Sequence, residues 1–291
     1  MAKDYFHAHV NRESSVRPDL NYHPVPSPSL YGFVSRQTSK MFDGRGGYFY
    51  SGTANVTAAT GARMLMTRHI GAEDPMAVGL GLYLHDGTQI WQLAKQSLMP
   101  SLLDVIKRTP PETATDERAS PKTYIRGKIL RAGGAIAINR DLPLDQQTPK
   151  IRELVTSVTQ GGGITNIFFE GTRIPEKDRV ITDENKGGID PNNIKAGAIL
   201  HALASHASWI GGVGITGGLD GSLKPKDSPV VVMYGQMAEL PQVDIEGLNP
   251  KEQFKRLKPL AREIGAEMCS QVIELQNQAD AWYELIVAGS K

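Results

Sequence analysis

The stretch "ARMLMTRHIGAEDPMAVGLGLYLH", residues 62–85, decides the fold. Its first half, "RMLMT", is a short apolar run of the length of a buried strand, ending near His69. Asp74 then stands where a helix cap belongs, and Pro75 occupies the first helical position, where a missing N–H costs nothing. The apolar residues that follow predict a helix from Pro75 to about His85. A strand end facing a helix start across a short loop is the unit from which α/β folds build ligand sites.

Outward from this unit, the same alternation continues. "QIWQLA" (89–94), "GAIAIN" (134–139), "TNIFF" (165–169), "WIGGVGI" (209–215) and "PVVVMYG" (229–235) read as further strands. Between them, Thr148 caps and Pro149 opens a helix whose apolar residues recur at Ile151, Leu154, Val155 and Val158, and Gly161 to Gly163 stop it. "DPNNIKAGAILHALASH" (190–206) repeats that pattern, and Asn249 with Pro250 opens a long helix running toward Trp282. Strands alternating with helices predict one α/β domain over residues 56–291, with a mostly parallel mixed sheet flanked by helices. Residues 1–55, with three prolines in "HPVPSPSLYG", are expected to form an irregular N-terminal arm.

Composition narrows the partners. Lys and Arg total 32 against 31 Asp and Glu, so no global field draws the chain to nucleic acid or anionic lipid, any charged partner must be met locally, and no nucleic acid is expected as a partner. The single cysteine, Cys269, excludes an intrachain disulfide and fits a reducing cytoplasm, where it reads as a small packed residue. The first residues, "MAKDYFHAHVNRESSVRP", hold no apolar core of signal-peptide length, and no apolar run approaches a bilayer-spanning length.

Four places carry candidate chemistry. His69 and Asp74, five residues apart, suit a general base held in one tautomer by a carboxylate; equally, Asp74 is a helix cap and His69 a loop histidine. In "TNIFFEGTR" (165–173) an apolar strand runs into Glu170, Gly171, Thr172 and Arg173. Glycine admits a ligand close to the backbone, and the hydroxyl and forked guanidinium suit phosphate oxygens; the alternative is a turn closed by a Glu170–Arg173 ion pair. Arg140 after "GGAIAIN" and Lys95 after "IWQLA" occupy matching positions past their strands, as phosphate ligands or as solvated cations.

Sharper signatures are absent or fail in context. "GVGITG" (212–217) matches a dinucleotide fingerprint, but "GLDGSLKPKDSP" follows it and cannot form the helix that must hold a pyrophosphate. There is neither a P-loop nor a G-x-S-x-G nucleophile elbow, and His201 and His206 are five apart rather than the four that align two ligands on one helix face. No metal and no resident cofactor are expected.

Taken in order, His69-x4-Asp74, "GAIAINR", "FFEGTR" and the strand near "WIGGVGI" resemble the motif series of the glycerolipid acyltransferase superfamily, nearest to the 1-acylglycerol-3-phosphate acyltransferases. The four blocks span residues 69–215, and "EGTR" is their most specific element. The chain departs from the family pattern at Arg68, Asn139, Phe169 and Gly212, where Asn, an acidic residue, Pro and Pro are usual. The resemblance implies a glycerol-3-phosphate acyltransferase-like fold and transfer of a fatty acyl group from acyl-CoA or acyl-carrier protein to a phosphorylated glycerol or lysophospholipid. It makes His69 the base, oriented by Asp74, and Arg173, Thr172, Gly171, Arg140 and Lys95 the phosphate-binding set, with Glu170 orienting the site. "HIGAEDP" is similar to soluble plastid glycerol-3-phosphate acyltransferases, which keeps glycerol 3-phosphate as an alternative acceptor. A lipid or acyl-carrier binding protein without turnover is a further alternative. Amphiphilic substrates imply peripheral contact with the inner face of a membrane, for which "SRQTSKMF" and "GGYFYSG" are the sequence candidates, the alternative for both being a packed N-terminal arm.

Overall fold

The computed structural model of the chain describes residues 28–68, 74–95, 120–132, 134–138, 155–156, 158, 161, 163–168, 197–218 and 228–289. Within these residues the strand and the helix read from residues 62–85 are both present: β2 covers Arg63–Thr67 and α3 covers Asp74–Asp86, while residues 69–73 between them lie outside the described residues. Before them come α1 (Pro28–Asp43), β1 (Tyr48–Ser51) and α2 (Thr53–Thr57). After them come β3 (Ile90–Lys95), α4 (Pro121–Ala132), β4 (Ala135–Ile138), β5 (Ile164–Phe168), α5 (Gly197–Ala204), β6 (Trp209–Gly218), β7 (Ser228–Tyr234), β8 (Ala238–Glu239) and α6 (Pro250–Gly289).

The eight strands form one mixed sheet in the order β1-β7-β6-β2-β5-β3-β4, with β8 also on β6. β2 pairs in parallel with β5 and β6, β3 in parallel with β5 and β4, and β1 in parallel with β7; β7 and β8 run antiparallel to β6. The expected mostly parallel sheet flanked by helices is therefore what the chain builds, and all six strands read from the sequence are present.

Alternation along β2 sorts the two helical layers. Leu65 turns to one face, where it packs with Phe42 of α1, Val56 of α2 and Ala77, Val78, Leu80 and Leu82 of α3. Met64 and Met66 turn to the other, against Ile199 and Leu203 of α5 and Leu257, Ala261, Met268, Cys269 and Val272 of α6. The buried Cys269 is thus a packed core residue. Asn249 opens α6 with a reciprocal cap: its Oδ1 accepts from the N–H groups of Lys251 and Glu252 at 3.0 Å, and its own N–H donates to Glu252 Oε2 at 3.0 Å. At 40 residues this helix is about 60 Å long.

Glycines let helices approach the sheet. A Cβ on Gly214 of β6 would collide with the backbone of Leu275 and Gln276, so this strand tolerates α6 only because the position is bare. Side chains of α6 complete the contact: Gln271 accepts from Gly212 N–H, Gln276 Oε1 accepts from Ile215 N–H at 3.3 Å, and Asp280 accepts from the Thr216 hydroxyl. "GVGITG" is consequently a strand interior and not a phosphate loop. On the opposite face Gly79 and Gly81 make notches in α3, into which the hydroxyls of Tyr31, Tyr48 and Tyr234 project. Tyr48 and Tyr234 donate to the Ala77 and Val78 carbonyls, each at 2.6 Å, and Tyr31 accepts from Ile90 N–H at 3.4 Å.

The irregular arm expected over residues 1–55 does not hold over residues 28–51, which form α1 and β1. Pro28 stands at the start of α1, where proline is compatible with a helix, and Gly46 and Gly47, at φ of 100° and 106°, turn the chain out of it. The buried stripe of α1 is Tyr31, Ser35, Thr38 and Phe42. Two of its four members, Ser35 and Thr38, are small polar residues, which hid the helical period from a hydrophobicity reading. Of the two other helices read from the sequence, residues 148–163 fall largely outside the described residues, and the 190–206 segment is described as a helix over Gly197–Ala204.

Candidate functional site

Strand register places four chain segments at one edge. Thr67 is level with Phe168, Gln92 with Asn166, and Lys95 with Ile138, so β2, β5, β3 and β4 all stop within one residue of each other. They are neighbours in that order, which spreads their C-terminal ends over about 14 Å. Their continuations in sequence are the motif segments: His69 is two residues past Thr67, Glu170 two past Phe168 and Arg140 two past Ile138, while Lys95 is itself the last residue of β3. β6 runs five residues beyond the level of Thr67, from Gly214 to Gly218, and with β7 flanks this edge.

Of the residues singled out in the sequence, Asp74 is described in full. It is the first residue of α3 and is 6% exposed, held by the helix start in the same small region as the end of β2. Lys95 is described only as the end of its strand. His69, Arg140, Glu170, Gly171, Thr172 and Arg173 lie outside the described residues, as does Asn139.

The structure adds residues that the sequence reading passed over. Thr67 Oγ1 donates to Asn166 Oδ1 at 2.6 Å, Asn166 Nδ2 donates to Gln92 Oε1 at 3.4 Å, and Gln92 Nε2 donates to the Pro75 carbonyl. All three side chains are buried, so a polar chain crosses β2, β5 and β3 and ends on the first turn of α3. It ties the helix that begins with Asp74 to the strand that precedes His69. Buried polar atoms satisfied in this way fix geometry, because breaking one link leaves its neighbours desolvated and unpaired. The signal was a polar residue inside each apolar run, Asn166 within "TNIFF" above all. Arg68, between Thr67 and His69, is fully buried, a condition that arginine tolerates only with partners.

Among the described residues, no helix is long and apolar enough to cross a membrane. No family model matches the chain, and no curated protein matches it. Among solved structures the chain is similar to the crystal structure of the 1-acyl-sn-glycerophosphate acyltransferase PlsC from Thermotoga maritima. That likeness has 14% sequence identity and a TM-score of 0.45, over 81% of this chain and 78% of the other.

Proposed function

We propose that this protein is an O-acyltransferase that moves a fatty acyl group from an acyl thioester, acyl-CoA or acyl-carrier protein, to the hydroxyl of 1-acylglycerol-3-phosphate or a related phosphorylated acceptor. The observation that supports it best is the shared edge: four adjacent parallel strands end level with one another, and each runs into, or ends on, a residue of the motif series.

In this reading His69 Nε2 or Nδ1 takes the proton of the acceptor hydroxyl as that oxygen attacks the thioester carbonyl, while Asp74 holds the ring in the tautomer that leaves the attacking nitrogen bare. The tetrahedral intermediate then expels the thiolate, which recovers the same proton from the imidazolium. An aliphatic alcohol is too weak an acid to attack unaided near neutral pH, so a placed base contributes about two to four decades in rate. Arg173, with Gly171, Thr172, Arg140 and Lys95, holds the acceptor phosphate, and Glu170 orients the site.

The test is transfer of a labelled acyl group from acyl-CoA and from acyl-carrier protein to a panel of phosphorylated alcohols by the purified full chain. Product ester over many turnovers is expected, with turnover in His69→Ala lowered at least about a hundredfold and its fold intact by circular dichroism. Full activity in that variant would remove the base assignment. The similarity of "HIGAEDP" to plastid enzymes makes glycerol 3-phosphate the second acceptor of the panel. Acyl-thioester binding without turnover would identify a carrier-binding protein, and free fatty acid released without acceptor would identify a hydrolase.

A further inference from the structure

α4 differs in charge from the long C-terminal helix. Its twelve residues, "PKTYIRGKILRA", include Lys122, Arg126, Lys128 and Arg131 and no acidic residue, in a chain whose net charge is +1. The 40-residue α6, by contrast, carries five basic and six acidic side chains. On α4 the exposed residues fall on one stripe: Lys122, Ile125, Lys128 and Ile129 are exposed, whereas Gly127 on the far side is buried. Ile125 is 60% exposed and Ile129 45%, and as i and i+4 residues they form one apolar ridge with a lysine to either side. Lys128 Nζ lies 5.5 Å from the Tyr124 ring centre, which steadies it along the ridge.

Two adjacent exposed isoleucines carry no benefit for a helix facing water alone, and the two exposed lysines that border them, Lys122 and Lys128, carry the same sign. Both features are satisfied together by one environment, in which an apolar ridge enters an acyl boundary while flanking cations meet phosphates. We propose that α4 is an interfacial helix that seats the protein on an anionic bilayer, Ile125 and Ile129 entering beneath the headgroups and Lys122 and Lys128 pairing with lipid phosphates. The surface differs from the segments that the sequence suggested for this role, "SRQTSKMF" and "GGYFYSG". In the structure these contribute to α1 and β1, where Phe42 and Tyr48 stack within the fold at 5.4 Å between ring centres. α4 enters β4 through the turn at Gly134, and β4 is the strand that Arg140 follows in sequence. The inference rests on the charge and exposure of α4 and stands whether or not acyl transfer is found.

The experiment is flotation of the full chain with vesicles of phosphatidylcholine alone and of phosphatidylcholine mixed with phosphatidylglycerol, at low and high salt. Binding to the mixed vesicles only, weakened by salt, is expected. Because each cation near an anionic surface contributes about fivefold in partitioning, Lys122→Glu with Lys128→Glu should lower binding at least about tenfold. Ile125→Ser with Ile129→Ser should lower it as well, and thermal unfolding of both variants should match the parent because the side chains are exposed. Since Cys269 is buried, an environment-sensitive dye on Ile129→Cys labels α4 selectively, and its emission should shift to the blue on mixed vesicles. Equal binding to neutral vesicles, unchanged binding of both variants, a dye blind to vesicles, or binding to duplex DNA in place of vesicles would each overturn the proposal.

Discussion

At the scale of single residues, the polar chain Thr67–Asn166–Gln92–Pro75 is the feature that joins fold to site. Removing its middle member, by Asn166→Ala, leaves the Thr67 hydroxyl and the Gln92 amide buried without their partners, and the loss in unfolding free energy is expected to be at least about 2 kcal/mol. Urea denaturation measures it, and a loss below about half a kcal/mol would show that the links carry little. Arg173→Ala belongs to the same scale. Losing the phosphate grip should raise the acceptor KM by at least about tenfold with little change in donor KM, which acceptor titration reads; an unmoved acceptor KM would take Arg173 out of the site. Such residues were unequally legible in the sequence. Asp74 announced itself because a carboxylate before proline at a helix start has a local physical reason. Asn166 did not, because its partners come from strands whose adjacency only the folded sheet establishes.

At the scale of elements, strand and helix identity followed from local chemistry wherever one face was apolar throughout. β7 is a largely apolar run buried along its whole length, β2 has Met64, Leu65 and Met66 buried in succession, and the N-cap of α6 was readable in Asn249-Pro250. α1 was not, since Ser35 and Thr38 interrupt its buried stripe and Pro28 looked like a breaker. The glycines of β6 were read as unable to serve a dinucleotide, yet their positive purpose, letting α6 lie against the strand, needed the packing. Gly214→Ala tests that purpose: the added methyl meets backbone that cannot rotate away, so α6 must shift, at a loss of about 2–3 kcal/mol in urea denaturation. Stability equal to the parent would mean that the helix is more loosely seated than its contacts indicate.

At the scale of the whole molecule, three tyrosines from α1, β1 and β7 converge on α3 and link its motif-bearing start to both the sheet and the first helix. Burial pushes the Tyr31 phenol up to about 12, and burial drives Tyr234 higher still. An unfolded tyrosine ionises near pH 10, so above that value the unfolded chain binds fewer protons than the folded one. The contribution is complete below about pH 10 and is lost as pH rises toward 12, by up to about 1.4 kcal/mol per pH unit for each of the two phenols. Unfolding free energies measured from about pH 9 to about pH 11.5 should therefore fall steeply at the upper end. A flat profile there would place these hydroxyls in contact with water.

The central position of β2 also governs how the chain must assemble. Arg63 is level with Ile164 on one side and with Trp209 on the other, separations of 101 and 146 residues. A ribosome adding about 5–20 residues per second leaves that strand without its second neighbour for about 7–30 seconds. During synthesis the most apolar strand of the motif unit waits, unzipped, for partners not yet made, and closure of so non-local a sheet is slow. Chaperone capture of the nascent chain in that interval is the expected physiological consequence, written into the strand order itself.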